Sequence, residues 1–579
     1  MSHPPERTPA GPAAAPPATP AGGDLDTNSV WTAIWVAGAA VVLAGVDLGQ
    51  RILANNDEAR FAVLGQAVLS HGQWLFPEIG GVAYRNKPAL LAWLIALASW
   101  PAGQVTQLTA ALPSALAGIA TALVIWRFGR SLFGAGAGAI AALVAMTTQG
   151  MFLHARLPLP DMLMTLFTST SMWLLWRITR GASGPAWIGF YASIAGAFWA
   201  KGPPGFLPLL VAVVHVAVSG RAEGLRRLRP WAGLLLLAAL VAPWWLSGFA
   251  SDAAAMRRVI VLDQLRWWVP QRLGASSVSM PIQHAFGALF PWVMVVPAAL
   301  YQVWMAMRQR RADRAPVAFL LVWTAVTFAL VALSQQQRFR YYLPLVPPVC
   351  LLIGWWCAEP GARRAGRVLV RLYAVAVAVL IVAGLGGLAT PERWPSEVDL
   401  PGSLLQALVL VGALLVMGGA LILGMRRDRV AAAFPVAWLA SALCIVAPYH
   451  WELQRHNRAS DYPRVRQELA RRLGEASLVA SWGVYALPLA FYFERPVVAV
   501  DSEEELGRLI TADSGAIAIV TDRALATVRQ RDRIRVLGSD RLGRQEIVVV
   551  AGRDGIPAPR IPVGGVLGEA QPEASRAHQ

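Results

Sequence analysis

The sequence predicts a polytopic α-helical membrane protein that ends in a small α/β unit. Three observations predict it. The chain of 579 residues is 56% hydrophobic and only 15% charged, with a mean hydropathy of +0.48, whereas soluble proteins carry roughly 25% charged residues. Its apolar residues are gathered into blocks about as long as a bilayer crossing. From His450 onward the blocks shorten and the charges rise. Long apolar blocks also exclude a disordered or collagen-like chain. The net charge of +17, from 51 Lys+Arg against 34 Asp+Glu, leaves two explanations: nucleic-acid binding or a topological bias of membrane loops.

Residues 1–29 are rich in Pro, Ala, Thr and Gly and read as a disordered tail. Val30 to Leu48 is the first apolar span. It exceeds a signal-peptide core and follows a long polar tail, so an uncleaved helix is expected. Further spans lie near 106–127, 133–148, 160–178, 185–200, 203–219, 231–249, 284–304, 316–333, 342–357, 367–388, 403–424 and 431–448. The apolar piece at 88–101 is too short for a confident crossing and reads as re-entrant or interfacial.

Arginine placement settles the charge. The clusters are Arg127/Arg130, Arg177/Arg180, Arg221 with Arg226/Arg227/Arg229, Arg308/Arg310/Arg311/Arg314, Arg363/Arg364/Arg367 and Arg426/Arg427/Arg429. If 88–101 does not cross, all of them share the side of the N-terminus. The positive-inside rule makes that side the cytoplasm and gives about thirteen crossings. The excess charge is then topological, and no nucleic-acid partner is expected. Asp57, Glu58, Lys87, Asp161, Lys201, Asp263, Arg266, Arg338 and Arg340 fall at the opposite, outer face. A transporter would bury such groups mid-span, whereas clustering at one surface suits an active site facing one compartment.

Residues 449–560 form the expected α/β unit. The stretches 477–481, 496–500, 515–520, 533–538 and 546–552 read as strands, with helices at 461–474 and 502–510. The alternation predicts a largely parallel sheet. No GxGxxG or GxxxxGK[ST] loop is present, so nucleotide binding is not indicated. Residues 561–579 read as a loose tail. Cys350, Cys357 and Cys444 sit in apolar runs without a CxxC pair and imply neither disulfide nor zinc site. The 24 tryptophans are expected in interfacial belts, and His71 and His154 at the surface.

The most informative segment is the first outer loop, 49–105, and within it NNDEARFAVLGQAVLSHGQWLFPEIGGVAYRNKPALLAW (55–93). Asp57-Glu58 closely follows the first span, and Glu58 to Ser70 has helical apolar spacing suited to lying along a membrane surface. Tyr84-Arg85-Asn86-Lys87-Pro88 returns the chain to the membrane. The run D-E-A-R-F-A, then G-x-W-x-x-P, a Tyr and K-P resembles the first periplasmic loop of bacterial GT-C glycosyltransferases. It is closest to the aminoarabinose (4-amino-4-deoxy-L-arabinose) lipid A transferases, with the protein O-mannosyltransferases sharing the acidic pair.

That resemblance implies a GT-C membrane domain at 30–448 and a periplasmic C-terminal unit. The implied activity moves a sugar from a polyprenyl-phosphate donor to an acceptor at the periplasmic face of the inner membrane. Aminoarabinose transfer to lipid A is the first expectation, and another lipid-linked sugar given to protein, polysaccharide or lipid the alternative. A lipid-linked-sugar flippase is the rival outside the enzyme class. Carried over by motif, Asp57, Glu58 and Asp161 are the catalytic candidates. Lys87, Lys201, Arg338, Arg340, Tyr342 and Tyr84 are the candidate binders of the polyprenyl phosphate. Inverting displacement and a monomer among membrane lipids are expected. No cofactor is called for; a divalent metal stays open, with His284 and Asp263 as its candidate ligands. The sequence departs from the family pattern at Asn86, where an acid is common, at Ala89, where K-P-P has its second proline, and in the Gln-rich run Gln335–Gln337. Purely structural roles compete: a helix start for Asp57-Glu58, an N-cap after Pro160 for Asp161, interfacial anchoring for Lys87.

Overall fold

A computed structural model describes residues 27–182, 184–219, 222–265, 275–309, 314–334, 337–358, 375, 400–427, 429–473, 476–513, 515–529 and 534–553. The expected tails and the span at 367–388 lie essentially outside these residues.

The chain begins with α1 (Thr27–Gly45), followed by α2 (Asn56–His71), α3 (Leu90–Ser99), α4 (Gln107–Phe133), α5 (Ala135–Met146), α6 (Gln149–His154), α7 (Asp161–Thr179) and α8 (Ala186–Lys201). Among the described residues six helices are long and apolar enough to cross a membrane. They become seven if Ser279–Leu289 and Trp292–Arg308, set at 108°, form one broken span. Large apolar side chains stand exposed along such helices, among them Trp231 at 86%, Leu235 at 73% and Leu439 at 62%. Water penalises such surface and hydrocarbon does not.

Two of the helices end where they do for a backbone reason. Gly134, at φ +96°, separates α4 from α5, and Gly202, at φ +85°, ends α8 before Pro203-Pro204. These left-handed positions suit glycine. The turn at Gly134 folds α5 back on α4 so closely that a Cβ on Gly129 would stand 2.6 Å from the Gly138 Cα.

The tryptophans divide. Trp31, Trp35, Trp74, Trp100 and Trp231 are exposed as a belt requires, but Trp244, Trp292, Trp323 and Trp356 are fully buried in the helical core. The Trp292 indole donates to the Thr147 hydroxyl at 2.9 Å. Burying such large rings supplies contact that helix packing in lipid needs.

After the long helix Val430–Ala459 comes a five-stranded sheet of β3 (Leu478–Trp482), β4 (Val497–Ala499), β5 (Ala516–Thr521), β6 (Ile534–Leu542) and β7 (Gln545–Gly552); β1 (Glu78–Ile79) and β2 (Val82–Ala83) pair in the first loop. Strand order is β4-β3-β5-β7-β6. The expected largely parallel sheet is mixed instead: β3 is parallel to β4 and β5, whereas β7 is antiparallel to β5 and β6. The cause is local. Only Gly543-Arg544 joins β6 to β7, with Gly543 at φ +61°, and a connection that short permits only a hairpin. The central β5 is buried along its length, with Ile517 and Ile519 in one apolar layer and Ala518 and Val520 in the other.

Candidate active site

The site grows from the start of α2. Asn55 caps the helix, its side chain accepting from the Glu58 amide at 2.9 Å, and Gly72 closes it in the left-handed region. Acids in a first turn face the positive end of the helix dipole. Successive helical residues point about 100° apart, so the two acids part company. Asp57 meets three guanidiniums: Arg60 Nη1 donates to its Oδ1 at 2.7 Å, and Arg338 Nη1 and Arg340 Nη2 donate to its Oδ2 at 2.5 and 2.9 Å. Glu58 is buried and instead accepts from Arg51 at 2.9 Å. The structure does not bring it to the Asp57 cluster.

Asp161 opens α7 as its first residue, after Pro160. Its side chain is 2% exposed and accepts from Lys201 Nζ at 2.5 Å, while Arg340 Nε stands 4.0 Å away. Lys201 is the last residue of α8. Its ammonium lies 4.4 Å from the Tyr341 ring centroid. Arg340 thus bridges the two carboxylates, carried by the 3-10 turn Phe339–Leu345.

Lys87 enters from the first loop. The hairpin of β1 and β2, turned by Gly80 and Gly81 at φ +58° and +83°, returns the chain to the membrane domain. Lys87 is half-buried, with its ammonium 5.9 Å from the Phe61 ring centroid. Burial, then Arg60, Arg340 and Lys201, push its pKa down to about 7, against the pull of Asp161. Burial raises Asp57, but Arg340, Arg60 and Arg338 outweigh it and hold that carboxyl far below the usual carboxylate range. Tyr84 lies beside Arg60.

Tyr342 is fully buried and its hydroxyl donates to Gln337 at 2.6 Å. It faces Phe328 and His284 rather than the cations; its neighbour Tyr341 takes the place beneath Lys201 and Arg340. His154, expected at the surface, is buried at 4% exposure, bonded to the Gly150 carbonyl and stacked on Phe339. Burial pushes its pKa down to about 4, outweighing the opposing pull of Asp161. Sequence reasoning passed over Arg60, three residues after Asp57, although the i, i+3 spacing of opposite charges signals such a pair. It also passed over Arg156, buried with its guanidinium spread over the Leu43, Val46 and Phe152 carbonyls. Among the described residues no group of three His, Cys, Asp or Glu could hold a metal. The side chain of Asp263, and Arg266, lie outside the described residues.

Five cations (Arg60, Lys87, Lys201, Arg338 and Arg340) therefore surround two carboxylates. Among the described residues Lys87 has no carboxylate within ion-pair distance. An excess of two positive charges, and of three when Lys87 is protonated, in a partly dry recess suits an anion with several oxygens, and Arg can grip it bidentately.

Comparison with known proteins points the same way. Residues 86–246 match the family model described as dolichyl-phosphate-mannose-protein mannosyltransferase. The undecaprenyl phosphate-alpha-4-amino-4-deoxy-L-arabinose arabinosyl transferase 1 of Pseudomonas fluorescens is 29% identical over 375 residues, 62% of this chain and 65% of that relative. The corresponding transferase of Pseudomonas aeruginosa strain UCBPP-PA14 is 28% identical over 409 residues, 67% of this chain and 70% of that protein. This chain thus spans about two thirds of their length. The crystal structure of ArnT from Cupriavidus metallidurans bound to undecaprenyl phosphate superposes with a TM-score of 0.70 at 19% identity, covering 92% of this chain and all of that one. The apo form gives 0.71 at 20% identity. In fold and in sequence this chain resembles the GT-C membrane glycosyltransferases, alongside the aminoarabinose transferases and the protein mannosyltransferases.

Proposed function

We propose that this protein is a membrane glycosyltransferase that moves a sugar from a polyprenyl-phosphate donor to an acceptor at the outer surface of the inner membrane. The observation that carries the reading is the cation excess around Asp57 and Asp161, with Lys87 lacking a carboxylate partner among the described residues. Lys87, Lys201, Arg338 and Arg340 bind the donor phosphate, and Tyr341 and Tyr84 line the recess. The acceptor oxygen attacks the anomeric carbon, the bond to the carrier phosphate breaks, and the phosphate leaves with the electron pair. The cations stabilise that developing charge. One displacement inverts the anomeric centre.

Asp57 is a weak base while three guanidiniums hold it. It serves best where the nucleophile is already ionised, orienting the acceptor and stabilising positive charge on the sugar. A phosphate acceptor meets that condition, so aminoarabinose transfer to lipid A, the reaction named for the Pseudomonas relatives, is the preferred substrate pair. The match to the mannosyltransferase model favours a hydroxyl acceptor as the second reading. With about thirteen crossings the N-terminus lies in the cytoplasm and the C-terminal unit in the periplasm, and the chain acts as a monomer.

Lipid A mass spectra of cells with and without the gene test the substrate. A mass increment that depends on the gene is expected. An unchanged lipid A, with a gene-dependent sugar on protein or polysaccharide, overturns the lipid A assignment. The low Lys87 pKa gives a second test. The ammonium loses its proton as pH rises through about 7, and only the charged form attracts phosphate. Donor KM therefore rises with pH across that range, and Lys87→Arg, always charged, flattens the rise. A pH-independent KM in the parent protein removes Lys87 from phosphate binding.

A further inference from the structure

We propose that the C-terminal unit is a clamp that sets the position of Asp57, with Tyr492 and Asn457 as its positioning residues. The proposal rests on the transferase reading. Residues 51–55, between α1 and α2, have no helix or strand of their own. Backbone groups of Gln50, Ile52 and Leu53 are satisfied from more than 400 residues away in sequence. Asn457 donates to the Gln50 carbonyl at 2.8 Å and accepts from the Ile52 amide at 3.0 Å. The Ile52 carbonyl lies 2.9 Å from His456 Nε2. The Tyr492 hydroxyl accepts from the buried Leu53 amide at 2.9 Å. The Leu487 amide donates to the Asn56 side chain at 3.2 Å. These contacts stop one residue before Asp57.

Tyr492 joins three parts of the molecule. Its hydroxyl also accepts from Gln107 Nε2, at the start of α4, at 2.8 Å, and its ring stacks on Tyr462 with centroids 5.7 Å apart. The helix that carries it, Ala486–Phe493, packs on α2. Beyond Asp57, Glu58 turns to the same side as these contacts and pairs with Arg51.

The need for a clamp follows from the site. Asp57 is otherwise held by Arg60, Arg338 and Arg340. A donor phosphate competes for Arg338 and Arg340, and a carboxylate tethered only by them would shift as they re-form around it. Bonds to the backbone just before α2 hold the helix start independently of that exchange. Orientation is worth large factors, with a misplacement near 1 Å costing about a hundredfold.

The test uses the full chain in detergent micelles, with undecaprenyl-phosphate aminoarabinose as donor and lipid A as acceptor. Tyr492→Phe keeps the ring stack and removes one hydroxyl; Asn457→Ala removes the paired bonds to Gln50 and Ile52. Tyr485→Phe, at an exposed tyrosine of the same unit, is the control. Both clamp variants are expected to speed amide hydrogen exchange over residues 50–57, to lower kcat by about tenfold to a hundredfold, and to leave donor KM unchanged, with a small fall in melting temperature because the Leu53 or Ile52 amide loses its acceptor. Unaltered exchange, or faster exchange with an intact kcat, overturns the proposal. So does a kcat that falls only in step with the folded fraction. A parent protein that transfers no sugar defeats the transferase reading instead, and is told apart because the parent, not the variant, fails.

Discussion

Replacing Asp57 by asparagine lowers kcat by about a hundredfold to a thousandfold, the range spanned by a lost electrostatic or acid–base group. The change is isosteric, so Asn55 still caps α2 and the helix start keeps its place. What disappears is the negative charge facing Arg60, Arg338 and Arg340. Positive charge on the departing sugar then has no carboxylate opposite it, and the acceptor loses its orienting partner. The same loss strengthens the positive field seen by the donor phosphate, so donor KM holds or falls. A drop in kcat without a rise in KM marks an interaction made in the transition state. Steady-state rates over a donor series, checked by single-turnover transfer, read both quantities. Unimpaired transfer by the variant would falsify the catalytic role, and a raised KM with intact kcat would make Asp57 part of the binding scaffold.

The second large effect is on stability. Lys201 and Asp161 pair at 2.5 Å with side chains 9% and 2% exposed. Exposed pairs contribute only about 0–1 kcal/mol, but removing one partner of a buried pair costs about 3–5 kcal/mol because the other charge is stranded. Lys201→Met strands Asp161, and Arg340 at 4.0 Å offers only partial relief, so the lower part of that range is expected. Adding Asp161→Asn removes the stranded charge and restores most of the stability without restoring transfer. Thermal unfolding in detergent follows the first effect and the transfer assay the second. A Lys201→Met protein that melts with the parent would show that water reaches this pair.

The first loop announced its chemistry in its own residues. Asp57, Lys87 and the turn between them lie in one stretch whose helix period, glycines and K-P return are all local properties. The arginine bias was equally legible, because the cost of carrying charge across a membrane acts on each loop separately. The C-terminal strands could be placed, since short apolar runs between helical stretches mark them, but not the reversal of β7, which depends on a two-residue turn.

The sequence by itself determined which residue types were on offer and roughly where each lies along the chain. It also determined the membrane class, because transfer from water to hydrocarbon adds up residue by residue. Only the tertiary structure decided which side chains meet. Arg338 and Arg340 reach Asp57 across 281 and 283 residues, and Asp161 finds Lys201 across 40. It separated Asp57 from Glu58, chose Tyr341 over Tyr342, buried His154, and set the C-terminal unit against the segment before α2. Each outcome depends on how helices rotate and pack against one another. That is a collective fit of surfaces, and local periodicity does not encode it.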